Sequence, residues 1–214
     1  MTIKNRIFIF SILFLAALTI IGAFVYVISV QQLGRETWKT ELSKLIDTKK
    51  ISIQTSVNRD IALAMKWADS TVTKEFFMEP SNPELRKLAL REFTSYKNAF
   101  SNSSNFWVND VDKEFYSNDK FSYVVNPNNK DDYWYNMTLY ETEKFNFNIN
   151  YNPNLDETCL CVNAPVFNNK RPIGIVGTGI VLDEFIAGVY NQVDETIQIY
   201  FFNKNHEITG AWDK

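Results

Sequence analysis

The sequence is poor in the residues that most often carry enzyme chemistry. One of its 214 residues is histidine and two are cysteine. His206 lies in a predicted turn, and no serine or cysteine nucleophile stands near it in a recognisable setting. P-loop, dinucleotide-binding and zinc-protease motifs do not occur. The sequence therefore predicts no enzyme, no catalytic residue and no cofactor.

The two cysteines do not predict a metal site. Cys159 and Cys161 alternate with Leu160 and Val162 on a predicted strand, so both side chains point to one face. Residues two apart on a strand lie about 6.5 Å apart, at the wide edge of disulfide geometry. A tetrahedral site needs more ligands than two thiolates. We expect buried, unpaired cysteines and no bound metal.

An excess of positive charge is also missing. The chain has 22 Lys+Arg against 25 Asp+Glu, a formal net charge of −3. Non-specific binding of nucleic acid needs a basic surface that neutralises phosphates. Nucleic acid is therefore excluded as a partner.

One long uncharged apolar segment, residues 7–30, lies near the N-terminus. Its 24 positions reach roughly 36 Å as a helix, more than the hydrocarbon thickness of about 30 Å. A cleaved signal peptide is the alternative, but its apolar core has roughly 7–15 residues. Lys4 and Arg6 precede the segment, so the positive-inside rule places residues 1–6 in the cytoplasm. We expect a single-pass inner-membrane protein with the rest of the chain periplasmic or extracellular.

Helical periodicity continues after the apolar segment. No proline occurs between residues 33 and 77, and the spacing of apolar residues predicts one long amphipathic helix. Its apolar stripe also predicts a homodimer through this helix. Asn82, Pro83 and Glu84 form a helix start, and a second helix is predicted to about Phe100. The apolar positions of the long helix are Leu42, Leu45, Ile46, Ile53, Val57, Ile61, Ala64, Ala68 and Val72.

The rest of the chain predicts an antiparallel sheet with short helices. Alternating or β-branched runs predict strands at residues 106–108, 114–116, 145–151, 158–167 and 173–181. Helices are predicted at residues 133–140 and 182–192, and a last hairpin at residues 197–202 and 207–212. The fold class is α+β, with the long helix packed on the sheet. The hairpin either joins that sheet or begins a second subdomain, because a lone ribbon is marginally stable.

Three segments carry a resemblance to a known family. Residues 126–135, which end in Trp134 and Tyr135, residues 163–167 and residues 172–180 resemble a double Cache sensor domain, whose sheet is PAS-like. The resemblance implies the ligand-sensing part of a methyl-accepting chemotaxis receptor. Residues 31–193 would be its membrane-distal subdomain and residues 194–214 the start of a truncated membrane-proximal one. A sensor of a histidine kinase or cyclic-dinucleotide enzyme is an alternative, as is a structural or adhesive surface protein without a small-molecule ligand.

The resemblance also implies a ligand site. Amino-acid binders of the family carry an arginine two positions before the Trp-Tyr pair and aspartates on later strands. Here Asp132 stands at the arginine position, while Asn152 and Gly179 stand near the aspartates. An acidic group repels a ligand carboxylate. The expected ligand is therefore a small polar or cationic metabolite.

The site residues have alternative roles. Trp107, Trp134, Tyr135 and Tyr151 either wall a pocket or are core aromatics. Asp132 either meets a ligand ammonium or caps the helix that starts at Tyr133. Tyr123, Asn150 and Asn152 either give neutral hydrogen bonds to a ligand or, for the asparagines, are turn or surface residues, since Asn is abundant in this segment.

Overall fold

The computed structural model describes residues 3–152, 157–190, 197–202, 206 and 208–211. The chain divides into two compact units, Met1–Ser52 and Ile53–Lys214. The first helix, α1, has the bounds Ile3–Ala68. It contains an 18-residue window of mean hydropathy 2.7, no part of which is buried. By length and composition this helix can cross a membrane, although a signal sequence passes the same test.

The predicted long helix is wrong at its C-terminal end. α1 ends at Ala68, and a separate helix, α2, spans Thr71–Met78. The break has a local cause, because Ser70 is in an extended conformation and its side chain accepts the N–H of Thr73. Serine is a preferred N-cap because its oxygen replaces a missing backbone acceptor. Apolar spacing continued across this break, so periodicity alone did not reveal it.

The predicted second helix is confirmed. α3 spans Pro83–Ala99, and the Asn82 side chain accepts the N–H groups of Glu84 and Leu85. Proline at the first helical position loses no intrahelical hydrogen bond, since that N–H has no acceptor within the helix.

A six-stranded antiparallel sheet forms the body of the second unit. Its order is β3-β2-β1-β6-β5-β4. The predicted strands are confirmed, and β3 was missed. The bounds are β1 Phe106–Asn109, β2 Glu114–Ser117, β3 Lys120–Val124, β4 Asn146–Asn152, β5 Glu157–Asn168 and β6 Arg171–Val181.

Two helices and a hairpin complete the fold. α4 spans Tyr133–Glu141, between β3 and β4, and α5 spans Leu182–Tyr190 after β6. The last hairpin consists of β7, Tyr200–Phe202, and β8, Ile208–Ala211, and forms a two-stranded sheet of its own. The predicted α+β class is therefore confirmed.

The two faces of the main sheet carry different clusters. On one face, α2, α3 and the last turns of α1 pack over the sheet around Trp67, Phe77, Phe93 and Trp107. On the other face, α4 packs over the sheet. That second cluster, called here the α4 face, consists of Phe106, Val108, Phe115, Val125, Trp134, Tyr135, Leu139 and Ile175. Successive strand residues point to opposite faces, so Trp107 is separated from its neighbours Phe106 and Val108.

Candidate functional site

Trp134 and Tyr135 lie on the α4 face and are packed in the core. Trp134 is 5% exposed and Tyr135 is fully buried. The Trp134 ring meets the rings of Phe106 and Phe115 edge-on, with centroids 6.1 and 6.0 Å apart. The Tyr135 hydroxyl donates to Oδ1 of Asp110. Burial, and then this contact, raise the pKa of Tyr135. The phenol is therefore a neutral hydrogen-bond donor.

Asp132 precedes α4 at the end of a 3-10 turn, Lys130–Asp132. It is 8% exposed. Its side chain makes no capping hydrogen bond to α4. Instead, Oδ2 accepts the backbone N–H of Asn126 at 2.9 Å. The carboxylate thus closes the loop between β3 and α4.

The surroundings of Asp132 disfavour the ionised form of its carboxyl group. Burial is the main cause of its raised pKa; the hydrogen bond from Asn126 opposes that shift and the charge of Asp131 adds to it. Among the described residues, no lysine or arginine forms an ion pair with Asp132. A buried carboxylate without a cation is costly and gains most from one.

Tyr123 joins Asp132 on the α4 face. Its ring stacks on Phe115 with centroids 4.9 Å apart. Burial raises the pKa of Tyr123, and Asp132 and Cys161, in their ionised forms, raise it further. The hydroxyl is therefore a neutral group near both. The sequence pattern did not predict β3, so it did not indicate which face of the sheet Tyr123 occupies.

The two thiols lie on adjacent same-face positions of β5. Cys159 pairs with Val181 and Cys161 with Gly179, and neither sulfur is in a disulfide. Burial raises the pKa of Cys161 to about 12, so this sulfur is protonated at neutral pH. Within the described part of the chain, no group of three or more His, Cys, Asp or Glu side chains is placed to hold a metal ion.

A buried asparagine network beneath α4 was missed by the sequence analysis. Asn163 is fully buried. Its Nδ2 donates to Oδ1 of Asn146 at 2.8 Å and to Oδ1 of Asn148 at 2.7 Å. Asn146 in turn donates to the Thr138 hydroxyl of α4 at 3.0 Å. Asn146 and Asn148 share one face of β4, which pairs with the strand of Asn163. The spacing of the two asparagines is visible in the sequence, but the pairing that joins them to Asn163 is not.

One acceptor of this network is unsatisfied. Among the described residues, Oδ1 of Asn163 is buried and has no hydrogen-bond partner. Such an atom costs about 1–3 kcal/mol of desolvation when unpaired. A donor that formed a hydrogen bond with this atom would remove that cost.

Two predicted site residues, Trp107 and Tyr151, are not brought to this cluster. Trp107 is 1% exposed and packs on the opposite face against Phe76 and Phe93. Tyr151 is 52% exposed, and it lies an odd number of positions from Asn148 on β4, which places it on the opposite face. Asn152 is the last residue of β4, and its backbone pairs with Glu157. The structure thus groups Trp134, Tyr135, Asp132 and Tyr123, and separates Trp107 and Tyr151 from them.

Two glycines of β6, Gly177 and Gly179, differ in how closely neighbouring atoms approach them on the α4 face. A Cβ at Gly177 would lie 2.2 Å from the carbonyl oxygen of Val162 and 2.6 Å from the Phe106 ring. The nearest atoms to a Cβ at Gly179 would belong to Cys159 and Cys161, at 3.5 Å and beyond. Gly177 is therefore required by close packing, whereas a Cβ at Gly179 would make ordinary van der Waals contacts.

Solved structures with a similar fold include ligand-binding domains of bacterial chemoreceptors. The Pseudomonas fluorescens chemoreceptor CtaA with L-serine matches at a TM-score of 0.57 and 14% identity, over 81% of this chain and 72% of the other. The Campylobacter jejuni chemoreceptor Tlp3 with isoleucine matches at 0.56 and 14%, over 85% and 73%. The Pseudomonas aeruginosa chemoreceptor PctB with L-Arg matches at 0.50 and 15%, over 70% and 59%.

These matches confirm the resemblance to a Cache-type sensor domain at the level of the fold. Neither a protein-family model nor a curated protein matches the sequence. Identities of 14–15% do not carry ligand identity from one chain to another, because function depends on the residues of the site and not on the fold.

Proposed function

We propose that the chain is the ligand-sensing part of a transmembrane chemoreceptor and binds a small polar or cationic metabolite on the α4 face. The shared fold supports a sensor, since the matched structures are chemoreceptor domains crystallised with amino acids. The observation that carries the ligand class is the buried Asp132 carboxylate, which has no basic partner among the described residues.

A cationic group satisfies Asp132 better than any other ligand group. It would remove the cost of the buried charge, whereas a ligand carboxylate would be repelled. The unpaired Oδ1 of Asn163 adds a neutral acceptor for an N–H or O–H donor. Thr138, which contacts the asparagine network, lies six positions after Asp132, about 9 Å along a helix. A compact ligand with separated amine or hydroxyl groups spans this distance.

The membrane arrangement belongs to the same proposal. Residues 7–30 would cross the inner membrane, residues 1–6 would be cytoplasmic and residues 31–193 would form the membrane-distal sensor, followed by the start of a membrane-proximal subdomain. The run of apolar residues and the basic Lys4 and Arg6 support this orientation. A periplasmic reporter fused after Lys214 should be active, and activity of a cytoplasmic reporter instead would contradict the orientation.

A structural or adhesive surface protein is the second candidate, and one observation favours it. Trp134 and Tyr135 pack tightly against other core side chains, as expected if the domain holds no ligand. Asp132 argues the other way, because a purely structural core gains little from an unpaired buried carboxylate. A sensor of a kinase or of a cyclic-dinucleotide enzyme would share the ligand site and differ only in its output.

A thermal-shift screen of the full chain in non-ionic detergent separates these candidates. The panel holds amines such as choline and putrescine, zwitterionic amino acids, dicarboxylates and sugars. A ligand that binds the folded state raises the melting temperature. We expect amines to give the largest rise. No rise with any compound would favour the structural candidate, and a rise with dicarboxylates alone would contradict the proposed ligand class.

A further inference from the structure

A groove of about 440 Å³ runs along the outer face of α3. Its lining residues recur at helical spacing, which places them on one face of the helix. The buried residues of α3, Ala89 and Phe93, lie on another face and pack into the core. The groove is lined by Pro83, Arg86, Lys87, Leu90, Arg91 and Thr94.

The charge of this groove is of one sign. Three of its lining residues are basic and none is acidic, although the chain as a whole carries a net charge of −3. Across the described residues, other basic side chains form ion pairs, such as Lys74 with Asp69 and Lys97 with Asp119. No ion pair in that part of the chain includes Lys87 or Arg91. Acidic groups adjoin two lining residues, since Arg86 interacts with Asp112 and Thr94 donates to Oδ1 of Asp119 at 3.4 Å. The uncompensated positive charge of the groove is therefore that of Lys87 and Arg91.

The third cation, Arg86, is held in place. Its guanidinium donates to the Tyr116 hydroxyl and lies 5.2 Å from the centre of the Tyr116 ring. That hydroxyl donates to Oε2 of Glu114 at 2.9 Å. An arginine fixed in this way loses less side-chain entropy when it binds a ligand. Acidic Glu92, on the same helix, accepts hydrogen bonds from Ser70 and Thr73, so it is directed toward the start of α2.

We propose that the α3 groove is a second binding site, which takes a phosphate group. Arginine binds phosphate oxygens through its planar set of N–H donors, and lysine adds a point charge. The apolar side chains of Pro83 and Leu90 suit the carbon atoms attached to an esterified phosphate. The phosphate is either free in solution or part of an anionic phospholipid headgroup. This site does not depend on the ligand proposed for the α4 face.

Calorimetry on the full chain tests the site. Sodium phosphate is titrated into the protein in phosphatidylcholine nanodiscs, and again in nanodiscs that also contain phosphatidylglycerol. We expect saturable binding in phosphatidylcholine that weakens with added sodium chloride, because exposed charges are screened. Lys87→Gln or Arg91→Gln should each weaken it about tenfold, since each removes a charge-assisted hydrogen bond. Lys144→Gln, an exposed lysine outside the groove, should leave it unchanged.

The second arm identifies the source of the phosphate. Suppression of the wild-type phosphate titration by phosphatidylglycerol would assign the groove to a lipid headgroup. Equal binding in both nanodiscs would assign it to free phosphate. The proposal would be overturned if phosphate did not bind saturably in phosphatidylcholine nanodiscs. It would also be overturned if neither substitution weakened binding while both variants kept the wild-type melting temperature.

Discussion

Oδ2 of Asp132 accepts the backbone N–H of Asn126 at 2.9 Å, and this is the hydrogen bond that the buried carboxylate makes within its own loop. The same side chain does not form the capping hydrogen bond expected at the start of α4. Asp132 therefore organises the loop before α4 while its charge is left without a basic partner in the described residues.

The binding of a cation at Asp132 should depend on pH. Burial raises the pKa of this carboxyl above its ordinary value, and only the ionised form attracts a cation. We expect choline or putrescine affinity to fall as pH decreases through this raised pKa and to level off above it. Calorimetry at a series of pH values measures the profile. The Asp132→Asn variant should show no such fall in affinity. A wild-type affinity that stays constant down to the ordinary pKa of aspartate, about 3.9, would count against contact between Asp132 and the ligand.

Thr73→Val should destabilise the domain. The buried indole N–H of Trp67 donates to the Thr73 hydroxyl at 3.0 Å, and the hydroxyl donates to Glu92 at 2.9 Å. Valine keeps the shape and leaves the indole N–H unpaired, at a cost of about 1–3 kcal/mol. Chemical denaturation measures the loss. Thr94→Val, at an exposed position of α3, should cost much less, and equal losses for both variants would show that the buried network contributes little.

Two alanine substitutions in β6 should have opposite outcomes. Gly177→Ala places a Cβ 2.2 Å from the Val162 carbonyl oxygen, and overpacking of this kind costs about 1–3 kcal/mol or more. Gly179→Ala makes only ordinary contacts, at 3.5 Å and beyond, so its melting temperature should stay near that of the wild type. Equal melting temperatures for the two variants would contradict this difference in packing between Gly177 and Gly179.

The apolar stripe of the long helix predicts self-association. Replacing Ile53 and Val57 with Asp should weaken the homodimer, because unpaired carboxylates in a buried seam are costly. Light scattering of the full chain in detergent measures the mass. Gln54→Asp, an exposed neighbour on α1, should keep the dimer. An unchanged mass for the double variant would exclude this seam.

Strand and helix positions followed from patterns that short-range physics explains. The start of α3 was predicted because Asn82 and Pro83 satisfy the helix N-terminus locally. The break before α2 was missed because Ser70 acts through its side-chain oxygen while apolar spacing continues across it. β3 was missed because its burial is partial, so its residues show little alternation.

The site was less predictable than the fold. Trp134 and Tyr135 were identified by a resemblance, but which face each aromatic residue occupies depends on strand register. Register separates Trp107 and Tyr151 from the α4 face, since a shift of one position moves a side chain to the other face. The asparagine network arises from pairing between β4 and β5. Such a long-range contact is not visible when each segment is considered alone.

The most direct test of the account compares Asp132→Asn with the wild type. Calorimetry should show choline or putrescine binding to the wild type and a loss of at least about tenfold in the variant, because the ligand loses its charge partner. Asp131→Asn, at the exposed neighbouring position, is the matched control and should keep most of the affinity. The substitution should not reduce stability. The pKa of Asp132 is raised in the native state, so the native state binds this proton more tightly than the unfolded chain does. The ionised carboxylate therefore opposes folding at neutral pH. Asp132→Asn should therefore melt no lower than the wild type, and a lower melting temperature with unchanged amine affinity would contradict the central claim.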